Sequence, residues 1–336
     1  MKSTPENDEK MENMDKITTL KELAELCGVS RQAVSAALNL SPGNNTRISR
    51  EKAEYIRKLA KKYHFTPNRT AQKLRARRHD AYGLVVSNLC RIALPTLVVL
   101  LDELKKRDKL LVVDSISTQP PFSRFLKEQC VDAILSFDEP PSDMLALIEK
   151  AGYPLILVNS NIQREKNCLV YNEAGALRLA ARHLLEHGRR HIGLIQQGIE
   201  HYSGQARIDT YRQLVSEGVL AGEYVLQPST PIFDEELESF LTRHPSIDAL
   251  ILGSTDPVVV YRVLAKLGRT IPADVAIVRF AWPGQEYRLQ PASTTLEINQ
   301  NVLGATIADL LEQAASGKQP TTVTLDYYLA VRDSSR

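Results

Sequence analysis

The sequence predicts an α/β fold, a core of doubly wound parallel sheets behind a small helical headpiece. Three observations point there. Residues 80–297 alternate short apolar runs with helical stretches, residues 17–39 hold two short amphipathic helices around a glycine, and the basic residues crowd into one part of the chain. Tyr82–Ser87, Leu110–Asp114, Ala133–Phe137, Leu155–Asn159, His191–Gln196, Ala249–Leu252 and Val275–Phe280 read as buried strands. Parallel sheets covered on both faces give such continuous apolar runs. Helical stretches such as Ala174–His187 and Val258–Leu267 lie between them. There are strands enough for two sheets, and a cleft at their carboxyl ends is the default ligand site.

The stretch ITTLKELAELCGVSRQAVSAALN defines the headpiece. Thr19 and Glu22 have capping-box spacing, which starts a helix. Leu20, Leu23, Ala24 and Cys27 recur at i, i+3, i+4 and i+7, giving one apolar face. Gly28 stands where that helix must stop and the chain must reach positive φ. Ser30 caps a second helix whose Val34, Ala37 and Leu38 turn inward. Two short helices joined by such a turn predict a helix-turn-helix, whose second helix enters the DNA major groove. Arg31, Gln32, Ser35 and Asn39 lie along its outer side as candidate base readers, since Arg suits guanine and Gln suits adenine. A third helix is expected from Ser49 to Tyr63, with Ile48, Tyr55, Ile56 and Leu59 on its apolar side. Pro67 then opens a short basic helix in HFTPNRTAQKLRARRHD.

Charge supports the same division. Residues 16–79 carry fifteen Lys or Arg against four Glu, a surplus of +11 in a chain whose net charge is only +2. A surplus that concentrated faces a polyanion. With 336 residues, 43% hydrophobic and 24% charged, the chain reads as a globular protein of more than one domain. The polar start MKSTPENDEKMENMDK is no signal peptide, and the apolar run Ile92–Leu101 is broken by Pro95, so a cytoplasmic location without membrane contact is expected. Cys27, Cys90, Cys130 and Cys168 form no CxxC pair, which argues against a disulfide framework or a zinc site.

The headpiece, the following FTPNRTAQKLRARRHDAYGLVV, and the blocks ALRLAARHLLEHGRRHIGLI, IPADVAIVRF, QPASTTLEINQNVLG and YYLAVRDSS resemble the lactose/galactose repressor (LacI/GalR) family of bacterial transcription regulators. The resemblance runs from Ile17 over nearly the whole chain. It implies a periplasmic-binding-protein-like core and a regulator, most often a repressor, that binds double-stranded operator DNA as a homodimer under control of a sugar-like effector. The implied domains are a lead-in over 1–15, a headpiece over 16–65, a hinge helix over 66–79 and a core over 80–336. Within the core the N-lobe takes 80–170 and 298–322, and the C-lobe takes 171–297 and 323–336. Leu74 matches the hinge leucine that wedges into a minor-groove step. Thr19, Ser30, Asn68, Ala71 and Arg75 join the candidate DNA contacts. In the recognition helix, Ala36 stands where many members have arginine and Arg31 where some have tyrosine. With no leucine heptad before the last residue, Arg336, a dimer rather than a tetramer is expected.

The cleft candidates follow. Arg207, in SGQARIDTY, matches the family arginine that clamps a polar effector. Asp256 matches a cleft aspartate and could equally cap the helix starting at Pro257; Asn159 stands where members often have aspartate. Ser87 ends the first strand, and Phe280 and Trp282 end or follow another; the tryptophan could stack on a ligand ring. The family's Gly-Phe-Asp-Asp is RFAW here, over 279–282, and Arg279 beside the cleft suggests an anionic effector. No GxSxG, GxxxxGK[ST], GxGxxG or HExxH occurs, so neither an enzyme nor a cofactor is expected. His183 and His187 share helical spacing, but HLLEHG reads as a helix end rather than a metal site. The alternative is a family regulator with a degenerate cleft that answers to a protein partner or acts without a ligand.

Overall fold

A computed structural model describes residues 19–38, 46–66, 79–87, 92, 94–116, 122–137, 139–281 and 288–336. The chain divides into two compact units, 1–79 and 80–336.

In the first unit, α1 (Leu20–Leu26) and α2 (Arg31–Ala37) flank the expected turn, and α3 (Arg50–Lys62) packs on both. The caps are those the sequence predicts. Glu22 N–H donates to Thr19 Oγ1 at 3.2 Å and Thr19 N–H to Glu22 Oε2 at 3.1 Å, Ala33 N–H donates to Ser30 Oγ at 3.2 Å, and Gly28 takes φ +64. Leu23, Ala24, Val34, Ala37, Ala53 and Ile56 form the core. Its small residues let three short helices approach closely. Tyr55 is a correction: it is 51% exposed, because Ala53, Ile56 and Ala60 already complete the inward stripe of α3.

In the second unit, β1 (Ala81–Val86), β2 (Leu110–Ser115), β3 (Ala133–Ser136), β4 (Leu155–Val158), β5 (Cys168–Tyr171) and β11 (Val323–Leu325) form one wholly parallel sheet in the order β11-β5-β4-β3-β1-β2. A second sheet joins β6 (Ile192–Ile195), β7 (Val225–Leu226), β8 (Ala249–Leu252), β9 (Ala276–Phe280), β10 (Thr294–Glu297) and β12 (Tyr328–Ala330) in the order β12-β10-β9-β8-β6-β7, with only β12 antiparallel. Each sheet buries both faces under helices. On the first, α4 (Leu94–Lys106) and the helix Gln300–Ala315 cover one face, and Arg124–Glu128 with Ser142–Lys150 the other. Gly304 lets the helix Gln300–Ala315 approach α4, since a Cβ there would meet Val99. On the second sheet, Glu173–Glu186 with Tyr202–Ser216 and Asp234–Arg243 with Pro257–Lys266 play the same parts.

The chain passes between the sheets three times, over 171–173, 297–300 and 325–328. The last crossing corrects the expected division at 322/323: Val323–Leu325 still pairs with Leu169–Tyr171 in the first sheet. The expected division at 170/171 moves likewise, since Tyr171 closes β5 of that sheet.

Candidate functional site

Two sites were expected, and each is built within one unit. The first is the outer side of α2. Arg31 and Gln32 are its first two residues and both are exposed; Ser35, one turn on, is half-buried. Ser30 and Thr19, both exposed, cap α2 and α1. Arg57, on α3, was not singled out. Its Nε donates to the carbonyl of Ala37, the last residue of α2, at 2.9 Å. A guanidinium there satisfies a helix-end carbonyl and complements the helix dipole. Asn39, Asn68, Ala71, Leu74 and Arg75 lie outside the described residues.

The second site is the carboxyl end of the C-lobe sheet. Its strands run in the order β7-β6-β8-β9, so β6 and β8 flank the point where the winding reverses, the ligand-binding position of such sheets. Arg207, from the helix Tyr202–Ser216, straddles that point. Its Nη1 donates to Ser254 Oγ just beyond β8 at 3.2 Å and to Gln196 Oε1 just beyond β6 at 3.5 Å. Its guanidinium lies 3.6 Å over the ring centre of Phe280, the last residue of β9. Its Nε donates to Glu173 Oε2 at 2.8 Å. Arg207 is only 5% exposed and Glu173 2%. Glu173 Oε1 accepts from Tyr327 Oη at 3.1 Å, and the Tyr327 ring meets Phe280 and Tyr171 edge-on. Burial raises the Tyr327 hydroxyl well above its ordinary value, so it stays a donor to that carboxylate. Gly253 has no side chain because the Gln196 amide occupies the place of a Cβ.

Asn159, at the end of β4 with φ +52, faces the C-lobe. Its Oδ1 accepts from Tyr202 Oη at 2.6 Å, and its carbonyl accepts from His201 Nε2 at 2.9 Å. That bond fixes the tautomer with the proton on Nε2. Tyr202 N–H donates to Asn161 Oδ1 at 2.6 Å, while Asn161 Nδ2 donates to the Glu200 carbonyl at 3.1 Å. Burial pushes the Tyr202 hydroxyl up to about 12, so at neutral pH it remains a phenol able to donate. The two lobes are thus joined directly beside Arg207.

The remaining candidates divide. Ser87 is exposed at the end of β1. Asp256 is exposed and caps the helix Pro257–Lys266, with Val258 N–H donating to Oδ1 at 2.9 Å. Trp282 lies outside the described residues. Arg279 is a correction. It is buried on the same face of β9 as Ile277, opposite Phe280, and its charge acts on Tyr261 of the helix Pro257–Lys266. It lies on the other face of the sheet from Phe280 and Arg207, so it does not add its charge to that arginine's contacts. Among the described residues, no cluster of His, Cys, Asp and Glu is arranged to hold a metal. His183 Nε2 instead meets Ser335 Oγ at 2.8 Å, tying the chain's last turn to the C-lobe.

Sequence reasoning missed Glu173, Ser254, Gln196, Tyr202 and Tyr327. An acid in a helix's first turn, as in YNEAGAL, already has a local explanation in the helix dipole. Only the tertiary fold shows that it is the arginine's partner.

Residues 181–335 match the family described as periplasmic binding protein-like domain. The transcriptional regulator CelR of Thermobifida fusca is 27% identical, over 94% of this chain and 98% of its own. A ribose operon repressor of Halalkalibacterium halodurans is 25% identical, over 95% and 98%. The lactose operon repressor of Escherichia coli is 22% identical, over 90% and 86%. By fold, the lac repressor dimer bound to operator and the anti-inducer ONPF superposes with a TM-score of 0.74 at 19% identity, covering 95% of this chain and 99% of that one. A CelR–cellobiose complex gives 0.63 at 23%, covering 94% and 99%. Matched by these regulators over nearly its full length, and folded as they are, this chain is similar to transcriptional regulators of the lactose/galactose repressor (LacI/GalR) family.

Proposed function

We propose that this protein is a repressor that binds a near-palindromic operator as a homodimer and releases or grips it according to a hydroxyl-rich, uncharged effector held between the lobes. The observation that carries the DNA half is α2: a capped seven-residue helix whose first two residues, Arg31 and Gln32, are exposed and have the hydrogen-bonding groups that suit guanine and adenine edges, two donors for the one and a donor with an acceptor for the other. Asn39 and the hinge residues Asn68, Ala71, Leu74 and Arg75 complete the proposed contacts.

Pairing of two chains is supported by the N-lobe surface. Leu94, Val98 and Leu101 lie on one face of α4 and are 70%, 50% and 44% exposed; Leu110 and Val113 are exposed on the edge strand β2. An apolar helix face beside a bare sheet edge asks to be covered, and a second copy offers the same surface in return.

For the effector, the supporting observation is Arg207 at the switch point, with Ser254, Asp256 and Phe280 around it; Ser87, Asn159 and Trp282 complete the proposed lining. Thr255 Oγ1, buried one residue from Ser254, has no hydrogen-bond partner among the described residues, which suits a ligand hydroxyl. Relatives supply the sugar reading: the solved CelR relative is a complex with cellobiose. The effector changes operator affinity only so far as it binds one lobe arrangement better than the other. Such a regulator works in the cytoplasm, and among the described residues no helix is long and apolar enough to cross a membrane.

The test is sedimentation of the full-length chain with a palindromic DNA library, then titration of the bound complex with neutral mono- and disaccharides. Two chains per duplex and a sugar-dependent change in affinity are expected. One chain per duplex, or no response to any sugar, would favour the reading in which the cleft has lost its ligand.

A further inference from the structure

The geometry points to Glu173 as a specificity-determining residue: it is the permanent counter-ion of Arg207, and it reserves that arginine for uncharged effectors. This rests on the reading of the cleft as the effector site.

Glu173 is the first residue of its helix, just after Asn172, whose side chain caps that helix. Its two carboxylate oxygens have separate tasks. Oε2 accepts from Arg207 Nε at 2.8 Å, and Oε1 accepts from Tyr327 Oη at 3.1 Å. The side chains of the pair are 6% and 2% exposed, so water screens their charges little. The guanidinium is fixed from below by Phe280 and from one edge by Ser254. Arg207 is therefore already neutralised and oriented before any ligand arrives. A ligand hydroxyl can use an N–H of that fork at no cost in charge. A phosphate or carboxylate can use the same N–H only by bringing a second anion close to the Glu173 carboxylate. Without Glu173 the same arginine would be an unneutralised cation in a dry cleft, and an anion would be its natural ligand. Glu173 also sits on the first lobe crossing and Tyr327 on the third, so the selectivity device is anchored to the segments about which the lobes meet.

A purely structural Glu173 would affect folding and leave charge preference alone, so charge preference is what the experiment reads. Full-length wild type, Glu173→Gln and the double variant Glu173→Gln/Arg207→Gln are titrated with inorganic phosphate by calorimetry at constant ionic strength, with circular dichroism as the folding control. Wild type should show no saturable phosphate binding in the millimolar range. Glu173→Gln should bind phosphate at least about tenfold more tightly than wild type, one factor of ten corresponding to about 1.4 kcal/mol. The double variant should lose that gain. Folded Glu173→Gln with no gain overturns the assignment. Should Glu173→Gln not fold, wild type against Arg207→Gln decides: phosphate saturation that depends on Arg207 in the wild type overturns the assignment, and its absence supports it. Failure of the effector reading looks different: Glu173→Gln gains Arg207-dependent phosphate binding, yet neither phosphate nor any neutral sugar changes operator affinity.

Discussion

The headpiece and the cleft use arginine in opposite ways. Arg31 stands exposed at the start of α2, on a three-helix unit whose core mixes Leu23, Val34 and Ile56 with alanines. Arg207 is enclosed by a carboxylate, an aromatic face, a hydroxyl and an amide. An exposed arginine takes its meaning from the partner that will come. A buried one takes it from partners already present, and the ligand is selected by what they leave open. The same side chain therefore predicts a readout of DNA in one place and a limit on ligand charge in the other.

The largest effect expected from this contrast is on stability. Arg207→Ala would leave Glu173 as an uncompensated buried carboxylate and should cost about 3–5 kcal/mol in urea unfolding of the core. Arg31→Ala should stay within about 0.5 kcal/mol of wild type. Equal costs for the two would break the comparison. Next comes the headpiece core. Leu23→Ala should cost the headpiece about 2–5 kcal/mol, abolishing specific DNA binding while the unfolding of the core is unchanged. A fall in both would mean that the two units unfold together.

A subtler effect separates positioning from contact. Arg57→Ala removes the bond to Ala37 O and should weaken specific operator binding by about 1 kcal/mol. It should leave the salt dependence of binding as it was, because a positioning residue displaces no counter-ions. A shallower slope would instead make Arg57 a phosphate contact. The smallest effect concerns acid. Burial, then the charge of His187, holds the imidazole of His183 below its ordinary value. The folded chain thus binds this proton less readily than the unfolded chain. The associated stability is present above the ordinary histidine range and is lost as pH falls through it and on through the lowered value. His183→Gln should flatten thermal stability against pH between about 5 and 7. A profile identical to wild type would remove His183 from the account.

What could be read from the sequence was what local physics decides. Thr19, Glu22, Gly28 and Ser30 are caps and a turn whose function needs only near neighbours, and each stands where expected. The longer buried strands were legible from their apolar runs. The strands of two or three residues, such as Val225–Leu226 and Val323–Leu325, carry too little pattern to be seen, and the pairing of Val323–Leu325 with Leu169–Tyr171 joins residues 154 apart. Strand alternation, applied to Phe280, separates Arg279 from Arg207, a relation the apolar run alone does not show. Glu173 and Tyr327 were illegible for a different reason. Glu173 meets Arg207 through the packing of two helices 34 residues apart, and Tyr327 joins Glu173 only after two further lobe crossings, so no local pattern encodes the group.

The central claim is that α2 reads operator bases for a paired regulator. Selection of bound sequences from a random DNA pool, with full-length wild type and Arg31→Ala at two salt concentrations, tests it most directly. The account predicts a near-palindromic site for the wild type, kept at the higher salt, and an altered preference at symmetric positions for the variant. No enriched site, binding that vanishes at moderate salt, or an unchanged preference in Arg31→Ala would contradict it and leave the basic module an electrostatic anchor.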